Sequence, residues 1–144
     1  MSEAPTLQVL ESRLHEPLPV HERVKLLNEM SEQLYERDPA RGVEVAREAI
    51  DLARATGDAS SEAQGLYGLG RNLHSLADYP AVLETQGTAL MLFRALGDAH
   101  GEARCCNLLG ITHRQLSDYG RALEMYDAAL KCFRAASYIS RARP

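Results

Sequence analysis

Residues 118–130 read DYGRALEMYDAAL, and residues 78–90, forty positions earlier, read DYPAVLETQGTAL. Asp, Tyr, Leu, Ala and Leu return in register, and residues 38–50, DPARGVEVAREAI, keep Asp38, Ala49 and a final aliphatic as Ile50. The period of 40 continues outside this window: Glu22, Glu62 and Glu102 share it, as do Arg54, Arg94 and Arg134, while Gly70 pairs with Gly110 and Phe93 with Phe133. Such a period means that each residue has to be read through its counterparts, because equivalent side chains serve equivalent places in stacked units.

Each unit reads as two helices. Ala122, Leu123, Tyr126, Ala129, Leu130 and Phe133 recur at steps of three and four, which gathers them on one side of a helix. Leu108, Leu109, Ile111 and Leu116 belong to the helix before it. Asp118 stands where an N-cap is needed, its carboxylate able to accept from free backbone N–H groups, and Asp38 is followed by Pro39, suited to a first helical turn. Gly57-Asp58 and Gly97-Asp98 supply a glycine able to take positive φ at the end of one helix and a cap for the next. The pattern predicts helices at 20–37, 39–56, 60–77, 79–96, 100–117 and 119–136. A further short helix is expected at 5–16, with Leu7, Leu10 and Leu14 on one face, as a half-unit covering the N-terminal end of the stack.

Composition agrees with an all-α chain. Of 144 residues 45% are hydrophobic and none is Trp, so the core has to be made of Leu and Ala. The expectation is one domain over 1–144, with a cap at 5–16 and units at 20–57, 60–97 and 100–137. A formal net charge of -4 speaks against a nucleic-acid surface, which shows as a basic excess. No apolar run approaches a membrane span, and the first residues lack the pattern of a secretion signal, so no membrane partner and a cytoplasmic location are expected. Cys105, Cys106 and Cys132 form no CxxC pair, and the five histidines show no HExxH spacing, so neither a metal nor another cofactor is expected.

The string from Leu109-Gly110 through Tyr119, Ala122, Leu123, Tyr126, Ala129 and Leu130 resembles the tetratricopeptide repeat family in its long, forty-residue variety. The second unit departs from the family pattern with Val82 and Gln86, and the first with Met30 at the glycine position. The resemblance implies a right-handed α-solenoid of three helical hairpins behind the N-terminal capping helix, about seven helices in all, with the first helices of the hairpins on the concave side. Small residues at Gly70, Gly110, Ala89 and Ala129 would let helices approach closely.

On the positions that the resemblance nominates, the groove would be lined by Gln64, Tyr67, Arg71 and His74 from the second unit and Arg104, Asn107, Ile111 and Arg114 from the third. Three arginines on an acidic chain favour a protein or peptide partner that offers carboxylates. The alternative is that each Arg merely solvates its helix or pairs with a neighbouring Glu, worth about 0–1 kcal/mol. The resemblance further implies a non-catalytic scaffold or regulatory module. Residues 37–58, RDPARGVEVAREAIDLARATGD, are similar to N-terminal regions of bacterial signalling proteins such as diguanylate cyclases.

Nothing in the sequence arranges a catalytic group. GLYGLGRN, residues 65–72, has the wrong spacing for a phosphate loop and lies inside a predicted helix. Gly65, Gly68 and Gly87 should cost the second unit up to about 1 kcal/mol each in helix propensity, making that hairpin the softest. Ser60-Ser61 and Cys105-Cys106 have no base implied beside them. A second, structural function suggests itself at the other end of the stack. Position 138 is Tyr where the period calls for Asp, so Leu123, Leu130, Phe133 and Tyr138 are expected to form an uncovered edge, at which the chain pairs as a homodimer or which is reserved for sequence not present here.

Overall fold

The computed structural model describes residues 5–142; residues 1–4 and 143–144 of the expected domain lie outside the described residues. Seven helices follow in order: α1 (Leu7–Leu14), α2 (Val20–Leu34), α3 (Pro39–Thr56), α4 (Ala59–Ser75), α5 (Tyr79–Leu96), α6 (Ala99–Gln115) and α7 (Tyr119–Ala142), with no strand among the described residues. The helices from α2 onward pair as hairpins, α2–α3, α4–α5 and α6–α7, each packed on the next.

Aspartates at twenty-residue intervals punctuate the chain. Asp38, Asp58, Asp78, Asp98 and Asp118 each accept from the backbone N–H three residues on, at 2.9–3.4 Å. These bonds satisfy one of the donors that every helix start leaves free. Between units the chain turns at Gly57 and Gly97, with φ of 69° and 68°. Within the second and third hairpins the same left-handed geometry falls on Ala77 (φ 59°) and Ser117 (φ 61°), which lack glycine's freedom. No glycine stands at 137, and α7 runs on to Ala142, beyond the sequence expectation of 136, because Ser137-Tyr138 gives neither the C′ glycine nor the next aspartate cap.

The order of contacts sets the curvature. Helix α2 touches α4 and α4 touches α6, whereas α3, α5 and α7 make no contact with one another. The first helices of the hairpins therefore form a continuous inner wall and the second helices fan outward. The main core runs through α3 to α7 around Ile50, Leu66, Phe93, Cys105 and Leu109, with alanines at Ala89 and Ala129 where helices approach. Helix α1 seals the first end by burying Leu10 on Leu26, Met30 and Leu34. It is tethered by Arg23, which donates to the Leu14 carbonyl at 3.0 Å, by Gln33, which donates to the Pro5 carbonyl at 2.7 Å, and by an Arg41–Glu11 ion pair.

The glycines of the second unit differ in their surroundings. A Cβ at Gly65 would stand 2.8 Å from Ile50 and one at Gly68 2.9 Å from the Ser31 hydroxyl. Their propensity cost therefore comes with close approach to the first unit, while Gly87 meets nothing within 4 Å and keeps only the cost. At Gly70 a Cβ would collide with the Gln86 amide; at Gly110 it would come within 2.8 Å of the Tyr126 ring. Gln86 thus fills the slot that Tyr126 fills one unit later. Buried, it donates from Nε2 to the Leu66 carbonyl at 3.0 Å, while its Oε1 has no partner.

Candidate functional site

The inner wall of α2, α4 and α6 gathers aromatic and cationic side chains at its middle. The Arg71 guanidinium lies 3.7 Å above the centroid of the Tyr35 ring and 5.9 Å from that of Tyr67. Arg104 lies 4.1 Å over the other ring, Tyr67. Stacking of this kind fixes a flat guanidinium without using its in-plane donors. Tyr35 is held in turn by its hydroxyl, which donates to Glu36 at 2.8 Å. That bond, with burial, raises the phenol's pKa above its ordinary value.

The two arginines differ in what they have left to give. Arg104 donates to Glu32 at 3.0 Å across from α6 to α2. Burial works against its charge, but the bond to Glu32 and the nearby Tyr67 outweigh it and raise its pKa. Arg71 has no carboxylate within ion-pair distance among the described residues. It borders two hollows: one of about 380 Å³ with Pro5, Glu29, Glu32 and Gln33, the other of about 180 Å³ with Tyr35, His74, Ser75, Leu108 and Ile111. His74 packs against Tyr79, with centroids 5.4 Å apart, and its buried Nε2 has no hydrogen-bond partner. Burial lowers its pKa, so at neutral pH it brings no charge to the hollow.

Of the positions expected in a groove, the structure brings Tyr67, Arg71 and Arg104 together by stacking, and Arg71, His74 and Ile111 around one hollow. Gln64, Asn107 and Arg114 are exposed on the same helices and border neither hollow. Sequence reading missed Tyr35, Glu32, Gln33 and Leu108. The first three belong to the degenerate first unit, where comparison across units has nothing to compare.

Two of the three cysteines are held inside the stack. Cys105 and Cys106 are buried and unpaired, with burial pushing their thiols up to about 12 and about 11, so neither is an available thiolate at neutral pH. Among the described residues no cluster of His, Cys, Asp and Glu could hold a metal, and no helix is long and apolar enough to cross a membrane.

At the far end of the stack Leu123, Leu130, Phe133 and Tyr138 are all exposed on α7, with Ile139 and Tyr119 beside them.

No family model matches the sequence, and no curated protein does. Solved structures do match in fold. The TPR domain of Arabidopsis FLU superposes with a TM-score of 0.74 at 16% identity, over 81% of this chain and 99% of that one. Aspartyl phosphate phosphatase F from Bacillus subtilis gives a TM-score of 0.82 at 18% identity over 93% of this chain, and a Rap protein complexed with competence and sporulation factor gives 0.82 at 20% over 90%. This chain spans only 36% and 37% of those two proteins' lengths. The fold is therefore a tetratricopeptide-type α-solenoid.

Proposed function

We propose that the chain is a non-catalytic protein-interaction module whose inner wall holds an extended protein segment, with Arg71 as the anchor for a carboxylate. The observation that carries this is a guanidinium held 3.7 Å over the Tyr35 ring with no carboxylate at ion-pair distance among the described residues, beside an apolar shelf of Leu108 and Ile111. A cation already oriented loses less freedom on binding, and its fork suits a carboxylate. Arg104 is a brace of the wall, since its donor goes to Glu32. A segment with an acidic side chain or a free C-terminus next to an aliphatic side chain fits the two features together. Glu29 and Glu32 on the α2 side favour donors in the part of the segment that lies there.

For the setting, we place the module in the cytoplasm of a bacterial signalling system. Two buried unpaired thiols suit a reducing compartment, and the reading of residues 37–58 as resembling regulatory regions of such proteins points the same way. That one fold neighbour is a Rap protein complexed with competence and sporulation factor supports a binding role for a fold of this kind.

The test is fluorescence anisotropy with short labelled peptides carrying Asp or Glu before Leu, against their Asn and Gln counterparts, at low salt. Acidic peptides should bind better, Arg71→Ala should remove that preference, and Arg71→Lys should restore only part of it because an ammonium cannot stack and fork together. Equal binding of acidic and amide peptides, or an unchanged preference in Arg71→Ala, overturns the assignment.

A further inference from the structure

Helix α7 carries a second surface, separate from the inner wall. Tyr119, Leu123, Tyr126, Leu130 and Phe133 follow at steps of four, three, four and three, the spacing of a coiled-coil seam. One period earlier the equivalent side chains are covered by α6: Leu90 is 8% exposed and Phe93 2%, against 49% for Leu130 and 39% for Phe133. Tyr126 turns one side to Gly110 and Phe133 one edge to His100, both on α6, while Leu123 and Leu130 stand exposed.

Charge on the neighbouring ridge says what covers that exposed face. Glu124 and Asp127 occupy its N-terminal half, Lys131 and Arg134 its C-terminal half, all exposed. Two copies related by a twofold axis across antiparallel helices bring the same ridge face to face, reversed, so the acidic half of each meets the basic half of the other. Arg134 is also the member of a ladder that lacks its rung. Arg54 pairs with Glu62 at 3.2 Å and Arg94 with Glu102 at 2.8 Å, each joining one unit to the next, whereas the residue forty positions after Glu102 is Ala142. Antiparallel packing is moreover the relation that α6 already bears to α5, since a two-residue link joins them.

We infer that a second copy of this chain covers α7, the two α7 helices packing antiparallel about an axis near Ala128. Leu123 of each copy then meets Phe133 of the other, Tyr126 meets Leu130, and Glu124 comes between Lys131 and Arg134 of the opposite copy. Tyr138 extends the charged ridge beyond the seam. The partner is selected by a self-complementary charge pattern, and the inner walls of both copies stay open.

Sedimentation equilibrium of the full chain over a wide concentration range tests this, with two double variants, E124K/D127K and K131E/R134E. The native chain should reach twice the chain mass. Each variant alone should dimerise about tenfold or more weakly, because its ridge carries a single sign of charge. Their equimolar mixture should recover the native dimer, since one ridge is then wholly basic and the other wholly acidic. Leu130→Glu should be monomeric alone and in any mixture, and circular dichroism should show native helicity in every variant. Rescue by mixing cannot come from misfolded chains. A native chain that stays monomeric at every concentration overturns the proposal and leaves the face to another occupant, such as a further helical pair in a longer protein. Double variants that dimerise as tightly as the native chain, or a mixture without rescue, overturn it as well.

Discussion

Asn72 ties the first two units together through a single amide. Fully buried, it donates from Nδ2 to the carbonyls of Ser31 at 3.1 Å and Gly68 at 2.8 Å, with the Ser31 hydroxyl also at 3.1 Å. Asn72→Ala should cost about 1–3 kcal/mol in urea unfolding, because it leaves the buried Ser31 carbonyl unpaired. The opposite sign is expected at Ala77 and Ser117, which hold positive φ without being glycine. Ala77→Gly and Ser117→Gly should each raise the free energy of unfolding, by up to about 1 kcal/mol, the relief of left-handed strain being partly offset by a freer unfolded chain. His74 adds a pH effect. Burial lowers its pKa in the folded state, so its stability contribution is whole above the ordinary imidazole value of about 6.5 and is lost as pH falls through the lower folded value, where the unfolded chain already holds the proton. His74→Gln should flatten the stability profile over that window; an unaltered profile would show that the imidazole titrates alike in both states.

Helices were legible in the sequence wherever a residue type recurs for a local reason. The aspartate caps and the glycines at 57 and 97 act on their own backbone, so spacing alone located the element ends they govern. Helix α7 outran its expected end because absence of a stop leaves nothing to read. The combined substitution Ser137→Gly and Tyr138→Asp should restore the stop, and hydrogen exchange should then speed up at residues 139–142 while residues 119–134 stay protected. The stacking of Arg71 on Tyr35 and the Arg104–Glu32 pair were not legible. Each joins one unit to another through side chains without counterparts forty positions away, and periodicity is blind to what occurs once. The alternative weighed from sequence, an arginine paired with a glutamate, describes Arg104 and not Arg71.

Whole-molecule stability should be visible through the cysteines. Cys105 and Cys106 are consecutive on α6 and both fully buried, so α6 is enclosed on more than one side. Reaction with a chromogenic disulfide should be slow at these two in the folded chain and faster at the half-buried Cys132. It should accelerate at both buried thiols together when urea opens the last hairpin, because modification needs exposed thiolate. Fast native-state reaction at Cys105 would mean that α6 detaches below the global transition.

The fan-like arrangement has a mechanical side. Each second helix is packed on the first helix of the next hairpin, while the second helices do not touch one another, so the arch can flex only by small shifts shared among its joints. Tension applied between the two ends should be spread over every joint, and a segment gripped at the inside of the bend would then feel strain arriving from the opposite rim.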